Sequence, residues 1–361
     1  MKRYKKVLIL AACVLGALLL VCMERGIVGS LSTQQLAKRW SEENEFAQVA
    51  CYFSRDNSLD AAQIVAVQRS LAASLEEAAL GSTNESGGRN WIDAYASQGE
   101  CYISSNRSGM KVRVFGVGGD FFQFHPLTLM DGNYFDATDE NADGVILDEV
   151  VAWQLFGSNN VAGMEIEINN AIYPIRGVIR SDNGMFSEAV EEEAATIYVS
   201  FEILEKLYSG KVGIDCYEVL IANPVKGFGK EAVAKAIDMD EKEYELVEVS
   251  ARFDFLHRVD ILKNFGIRSM NTRNIVFPYW ENRAKGYEDV SALFLVLEAI
   301  CLIYPIVWLV RRCYKLWKQR KAIKNRFFEI CRNFCGNIVP VLKKTVKTYK
   351  LVNKKKQKEE A

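Results

Sequence analysis

Histidine is scarce in this sequence, with only His125 and His257 among 361 residues. Zinc sites and most catalytic triads draw on histidine, and neither residue falls in a Ser/His/Asp set or a Cys/His cluster with zinc spacing. The phosphate-loop pattern G-x-x-x-x-G-K-[ST] is also missing, and "FGVGGDFF" has neither its Lys nor its Ser or Thr. We therefore expect no catalytic residues, no cofactor, no bound metal and no ATPase activity in this chain.

Cysteine is present, but in the wrong number for a disulfide scaffold. Of nine cysteines, only Cys51, Cys101 and Cys216 lie in the long segment between two apolar runs. An odd number does not describe a closed set of bridges. A bridge between Cys51 and Cys101 is one alternative, and three buried thiols are the expectation.

Two apolar runs lie near the ends of the chain. Residues 7–23 carry no charge, and residues 290–310 carry only Glu298. Each reaches the roughly 17 to 25 residues that a membrane-spanning helix needs. A signal peptide is the alternative for the first run, but small residues at a cleavage site are missing, so we favour an uncleaved anchor.

The charge is strongly polarised along the chain. Residues 1–6 hold four basic groups and no acid, and residues 311–361 hold 17 basic and three acidic groups. Residues 7–290 hold 24 basic and 42 acidic groups, a net charge of −18. Because Lys and Arg beside membrane spans stay in the cytoplasm, we predict a two-pass plasma-membrane protein with both termini cytoplasmic. The central domain is then extracytoplasmic.

These features divide the chain into four predicted parts. They are an N-terminal transmembrane anchor at residues 1–24, an external domain at 25–289, a second transmembrane helix at 290–310 and a basic cytoplasmic tail at 311–361. The first part of the tail is predicted to be a basic amphipathic helix, and its last part is predicted to be a solvated segment. Attraction of the tail to anionic lipid and a simple orientation signal are equally good interpretations. We expect no nucleic acid as a partner.

The external part predicts an α+β fold. Strand-like "AQVACYF", an Ala-rich helix over residues 58–80 and strand-like "WIDAYAS" form one β-α-β unit. "CYEVLIANP", "GKEAVAKAIDM" and "EYELVEVSARF" repeat that rhythm, so two β-α-β halves flank a β-rich insert. Within the insert, "GMEIEINNAIYPIRGVI" indicates a hairpin that turns at "NN".

"DENADGVILDE", residues 139–149, invites comparison with a calcium loop. Asp139, Asn141, Asp143 and Gly144 match its first half, but the twelfth position is Val150 where a bidentate Glu is required. The alternative is a polar turn before a buried strand, with Asp148 and Glu149 beginning a helix. Acids in the first turn of a helix are favourable, so we prefer this second interpretation.

Glu298 is the one residue of the second apolar run that is charged at neutral pH, and it is the candidate intramembrane contact. A carboxylate at mid-membrane costs about 2.5 kcal/mol or more, so it usually faces a partner helix or water. We hypothesise that Glu298 faces another membrane subunit. The alternative is a shifted register that places Glu298 near the outer interface.

Residues 112–179 resemble the periplasmic core domain of MacB-type ABC permeases of the FtsX-like family. The resemblance is carried by an ordered series: a "G-V" strand end, "F…L…G-x-x-F", an acidic turn, a "V-x-L" strand, "A-x-x-L-F-G", "G-x-x-I-x-I" and "Y-x-I-x-G-V". The matching residues are Gly116, Val117, Phe121, Leu129, Gly132, Phe135, Val145, Leu147, Ala152, Leu155, Gly157, Gly163, Ile166, Ile168, Tyr173, Ile175, Gly177 and Val178.

The resemblance implies a permease-like or accessory subunit of an ABC-type export system. MacB-type permeases carry three spans after the external domain, whereas only one follows here, so a separate ABC ATPase and another permease subunit are the implied partners. The alternative from another class is an extracytoplasmic binding or sensory module that signals through the basic tail. A structural envelope protein is a further alternative, and an enzyme ranks last.

Overall fold

The computed structural model describes residues 2–41, 45–81, 88–105, 108–135, 143–180, 186, 195–268 and 273–359. The helices are α1 (Lys2–Gly29), α2 (Leu36–Trp40), α3 (Ala61–Glu77), α4 (Phe121–Phe124), α5 (Glu149–Phe156), α6 (Phe201–Leu207), α7 (Phe228–Ile237), α8 (Phe255–Arg268) and α9 (Tyr279–Glu359). The strands are β1 (Phe46–Phe53), β2 (Trp91–Ser104), β3 (Gly109–Gly119), β4 (Thr128–Gly132), β5 (Val145–Asp148), β6 (Glu165–Ile168), β7 (Ala171–Arg180), β8 (Thr196–Ser200), β9 (Cys216–Ala222) and β10 (Tyr244–Glu248).

The chain forms two compact units. Residues 21–296 make up one, and residues 1–20 together with 297–361 make up the other. Among the described residues, two helical stretches, Tyr4–Gly29 and Tyr279–Arg320, are long and apolar enough to cross a membrane. Few of the side chains in their most apolar windows are buried, which distinguishes these helices from the core helices of a soluble protein.

The first and last β-α-β units are interleaved in one sheet. Four neighbouring strands run in the order β10-β1-β9-β2, and every neighbouring pair is antiparallel. Strand β1 of the first unit therefore lies between the two strands of the last unit, an arrangement of the split β-α-β type. The predicted α+β fold with two β-α-β halves is confirmed, and the structure adds that the halves share a single core.

The insert between β2 and β9 builds a second core. The sheet continues from β2 through β3, β8, β5 and β7 to β4, while β6 pairs with both β7 and the far end of β2. Strands β2, β3, β8, β5, β7 and β6 thus close a ring. Its apolar cluster includes Val114, Leu147, Ile168 and Val199, each with no exposed surface. This is the β-rich insert that the sequence predicts.

Local sequence explains several boundaries. Asp60 caps α3, because its side chain accepts a hydrogen bond from the Gln63 backbone while the Gln63 side chain accepts one from the Asp60 backbone. Asn169 and Asn170 both have positive φ, as the two-residue turn of the β6–β7 hairpin requires. Gly132 also has positive φ, at +74°, and a Cβ there would collide with the Arg176 carbonyl, so only glycine fits.

Two predicted elements differ from the observed ones. The predicted strand "EYELVEVSARF" ends at Glu248, and a 3₁₀ turn at Val249–Ala251 follows, because Arg252 turns into the protein interior instead of continuing the alternation. The end of the basic tail, predicted as a solvated segment, is helical to Glu359 as the continuation of α9.

A buried polar cluster joins the external domain to its terminal helices

One face of the central sheet carries polar side chains although it is buried. Helix α7 packs on β1 at Ala47, and strand side chains alternate, so Gln48 and Tyr52 lie on the opposite face. Glu218 of β9 pairs with Ala50 and shares that face. Gln48, Tyr52 and Glu218 are each no more than 4% exposed. A buried polar group without partners costs free energy, so the segments that cover this face must supply partners.

Arg252 and the first turn of α9 supply one such partner set. Arg252 Nη2 lies 2.9 Å from Glu281 Oε1 and 2.7 Å from Glu281 Oε2, and the Tyr52 hydroxyl donates to Glu281 Oε2 at 2.8 Å. Burial is the largest single influence on Arg252 and opposes its charge, but Glu281, Tyr52 and Glu218 together outweigh burial, so the pKa of Arg252 is raised. Burial, followed by the Glu281 charge, raises the pKa of Tyr52. The hydroxyl therefore remains a proton donor.

Glu288 extends the cluster along α9. Its Oε1 lies 3.4 Å from Arg252 Nε and 3.4 Å from His257 Nε2 of α8. Glu281 and Glu288 are seven residues apart, so both carboxylates project from one face of α9. Together they flank a guanidinium whose side chain is 0% exposed. We call Tyr52, Arg252, Glu281 and Glu288 the anchoring cluster.

A second contact set ties the end of α1 to α8 and α9. The Ser291 hydroxyl donates to Glu24 Oε1 at 2.7 Å, and Arg258 Nη1 of α8 lies 3.4 Å from the same oxygen. Glu24 directly follows the apolar run at residues 7–23, and Ser291 is the second residue of the run at 290–310. Helix α8 is therefore bonded to both terminal helices where their apolar runs meet the folded domain.

Aromatic side chains also pack against the first turn of α9, where Trp280 precedes Glu281. Trp280 lies 4.5 Å from the His125 ring and 5.2 Å from the Phe115 ring, measured between ring centroids. His125 is buried and shares a short hydrogen bond with Glu218. His125, which precedes Pro126, thus lies in the core as a packing and hydrogen-bonding group.

An open cleft of about 580 Å³ lies beside the Glu24–Arg258 contact. Its walls include charged side chains of both signs, such as Arg25 and Asp254, and aromatic ones, such as Phe46 and Phe253. Gln34 also lines it, and its Oε1 has no hydrogen-bond partner among the described residues. Across the part of the chain that the structure describes, no group of three or more His, Cys, Asp or Glu side chains could hold a metal ion.

The other residues singled out in the sequence take separate positions. Asp148 caps α5 by accepting from the Val150 backbone at 2.8 Å, and Glu149 occupies its first turn, which confirms that these acids begin a helix. Asp139 and Asn141 of the calcium-like pattern lie outside the described residues. Cys51, Cys101 and Cys216 are free and buried, which confirms three buried thiols, and burial raises the pKa of each.

Glu298 lies in α9 within the unit formed by the chain ends, and it is 8% exposed. Cys301, one helical turn further along the same face, has its Sγ 3.9 Å from the position that a Cβ on Gly16 of α1 would take. Its role as an intramembrane contact stays a prediction. The structure adds that Glu298 is on the face of α9 that approaches α1.

The anchoring cluster was not predicted from the sequence. Arg252 and Glu281 are 29 residues apart, and Tyr52 and Glu281 are 229 apart. The available signal was a charged residue within an aromatic and apolar context, "SARFDF" for Arg252 and "FPYWENR" for Glu281. Such isolated charges are buried only when paired, but sequence alone does not identify the partner.

The fold and the anchoring cluster define a class of protein: an α+β domain preceded and followed in the chain by an apolar helix. The family model described as the MacB-like periplasmic core domain matches residues 30–238, and the chain belongs to this family. Members are domains of ABC-type transporter permeases. The matched range includes β1 to α7 and ends before the anchoring residues Arg252, Glu281 and Glu288.

Two solved structures are similar to this chain at low sequence identity. The periplasmic region of MacB from Actinobacillus actinomycetemcomitans is 13% identical, with a TM-score of 0.42, over 62% of this chain and 94% of that one. The extracellular domain of the noncanonic ABC-type transporter YknZ from Gram-positive bacteria is 14% identical, with a TM-score of 0.37, over 55% and 99%. No curated protein sequence matches the chain.

Proposed function

We propose that this chain is a permease-like or accessory membrane subunit of an ABC-type export system. Family membership supports the transporter class. The observation that carries the finer proposal is the anchoring of α9: Arg252 is held by two carboxylates of that helix inside the external domain. A helix fixed in this way moves together with the sheet that it contacts.

The proposed mechanism uses α9 as the coupling element. Helix α9 is continuous from Tyr279 to Glu359, so its external root and its apolar run belong to one helix. Separating Arg252 from Glu281 would leave a buried charge uncompensated, at a cost of about 3–5 kcal/mol. A displacement of the root of α9 therefore loads the contacts that Arg252 makes with Glu281 and Glu288.

The partners in this proposal follow from the family and from charge. A separate ABC ATPase and another permease subunit supply the nucleotide-driven movement. Both termini lie in the cytoplasm, because the basic groups concentrate at residues 1–6 and 311–361. The basic tail also attracts anionic lipid. Glu298 makes an intramembrane contact, and its position on the α1-facing side of α9 favours a site where a partner joins both helices.

A second candidate function is favoured by the cleft beside Glu24 and Arg258. Its volume of about 580 Å³ falls in the range of roughly 300–1,000 Å³ that is usual for small-molecule sites. In this alternative, the external domain is a binding or sensory module and α9 carries a signal to the basic tail. No ATPase is needed for that role.

Hydrogen exchange on the membrane-embedded complex tests the coupling proposal. The intact chain is purified with its partners, and exchange is compared with and without a non-hydrolysable ATP analogue. We expect the peptides that contain Arg252 and Glu281 to change their exchange when nucleotide binds, because the root of α9 is displaced. Exchange that ignores nucleotide but responds to an added small solute would favour the sensory module.

A further inference from the structure

Helix α8, Phe255–Arg268, leaves large apolar side chains uncovered. Phe255, Leu256, Phe265 and Ile267 are between 60% and 76% exposed, and Leu262 is 39% exposed. Phe255, Val259 and Leu262 follow the i, i+4, i+7 spacing of one helical stripe. Ile261, in contrast, is buried at 2% against the domain. The helix thus carries an apolar surface besides the one that packs on its own domain.

The position of α8 indicates what covers this surface. Arg258 contacts Glu24, and His257 contacts Glu288. Glu24 follows the first apolar run by one residue, and Glu288 precedes the second by two. Because these two residues border the apolar runs, the predicted topology puts α8 close to the surface of the bilayer. Water is replaced there by lipid headgroups and the upper acyl chains.

We propose that α8 is an interfacial helix that inserts Phe255, Leu262 and Phe265 into the lipid at the domain end of the two spans. An apolar stripe beside polar residues is the composition of helices that lie in the membrane plane. Lys263 sits among the exposed residues, and its long side chain reaches the headgroups while its methylene groups remain in apolar surroundings. The occupant of this surface is the bilayer, and α8 holds the external domain against it.

Fluorescence quenching by brominated lipid tests the proposal on the intact chain in nanodiscs. Phe265→Trp adds an indole on the exposed surface, and Ile172→Trp is the matched control on β7, where Ile172 is 67% exposed. The emission of the wild-type chain, which has six tryptophans, is subtracted from each. Both positions are exposed, so neither change disturbs the core.

We expect lipid brominated near the headgroup to quench the emission added by Phe265→Trp at least about twofold more than that added by Ile172→Trp, because the bound helix lies 5–10 Å into the interface. This excess should not depend on the number of chains per nanodisc. Equal quenching at both positions would overturn the proposal. Emission that is blue-shifted and unquenched only when two chains share a nanodisc would also overturn it, since a second copy would then cover α8.

Discussion

Arg252 and Glu281 form a fully buried ion pair, in which Arg252 Nη2 lies within 2.9 Å of both carboxylate oxygens. Arg252 follows the last strand of the sheet, and Glu281 lies in the first turn of α9. The pair therefore connects the external domain to the helix that continues into the second apolar run.

Arg252→Leu should destabilise the external domain by about 3–5 kcal/mol, because it removes the cation that pairs with the buried Glu281 carboxylate. Thermal unfolding of the purified chain, followed by intrinsic fluorescence, measures this. Lys235→Leu is the control: its partner is Glu77, the two side chains are 68% and 72% exposed, and such surface pairs contribute only about 0–1 kcal/mol.

The double variant Arg252→Leu/Glu281→Leu separates loss of the pair from loss of packing. Replacing both partners by apolar side chains should recover part of the stability, since fewer buried charges remain unpaired. A double variant that is less stable than Arg252→Leu would show that the cluster stabilises by a route other than charge compensation.

Asp93 makes stability depend on pH in a defined direction. Burial raises the pKa of Asp93 above its ordinary value of 3.8, although hydrogen bonds from Gln68 and Tyr217 oppose this. The folded chain therefore holds the Asp93 proton more tightly than the unfolded chain does. Stability relative to Asp93→Asn should be greatest below pH 3.8 and fall as pH rises towards the folded pKa of Asp93.

Unfolding of the wild type and of Asp93→Asn, followed from pH 3 to neutrality, measures this difference. The free energy of unfolding of the wild type, minus that of Asp93→Asn, should fall as pH rises and become constant above the folded pKa of Asp93. A gap that moves the opposite way would mean that the hydrogen bonds from Gln68 and Tyr217 outweigh burial.

Membrane orientation can be measured by thiol labelling of intact cells. The native thiols Cys51, Cys101 and Cys216 are buried, and burial raises the pKa of Cys101 to about 12, so they should resist an impermeant maleimide. Val225→Cys places a thiol at a position that is 70% exposed. It should label from outside, whereas the exposed Cys313 should label only after the membrane is permeabilised. The reverse pattern would overturn the predicted topology.

If Glu298 makes the proposed intramembrane contact, Glu298→Leu should reduce recovery of the proposed partner permease and ATPase with the purified chain, because that contact is lost. Glu298→Gln keeps a hydrogen-bonding side chain of similar size, and it should retain more of the complex. Comparison of the two by quantitative mass spectrometry, at equal expression, measures the effect. Unchanged recovery with Glu298→Leu would remove Glu298 from the assembly surface.

Local signals in the sequence predicted much of the fold. Asp60 before an Ala-rich run and Asn169–Asn170 between alternating segments each specify an element through short-range hydrogen bonding or backbone geometry. The insertion of β1 between β9 and β10 could not be predicted in the same way, because register between distant strands depends on packing across the whole sheet. The anchoring cluster could not be predicted from the sequence for the same reason, because Tyr52, Arg252 and Glu281 meet only after the sheet has formed.

The proposed function depends most directly on whether the intact chain assembles with an ATP-hydrolysing partner. Affinity purification of the chain from its native membranes, under mild solubilisation, followed by identification of the bound proteins, measures this. We expect an ABC ATPase and a four-span permease to co-purify in constant ratio with the chain. A chain recovered without any ATPase, from membranes in which the partner genes are expressed, would contradict the assignment as an export subunit.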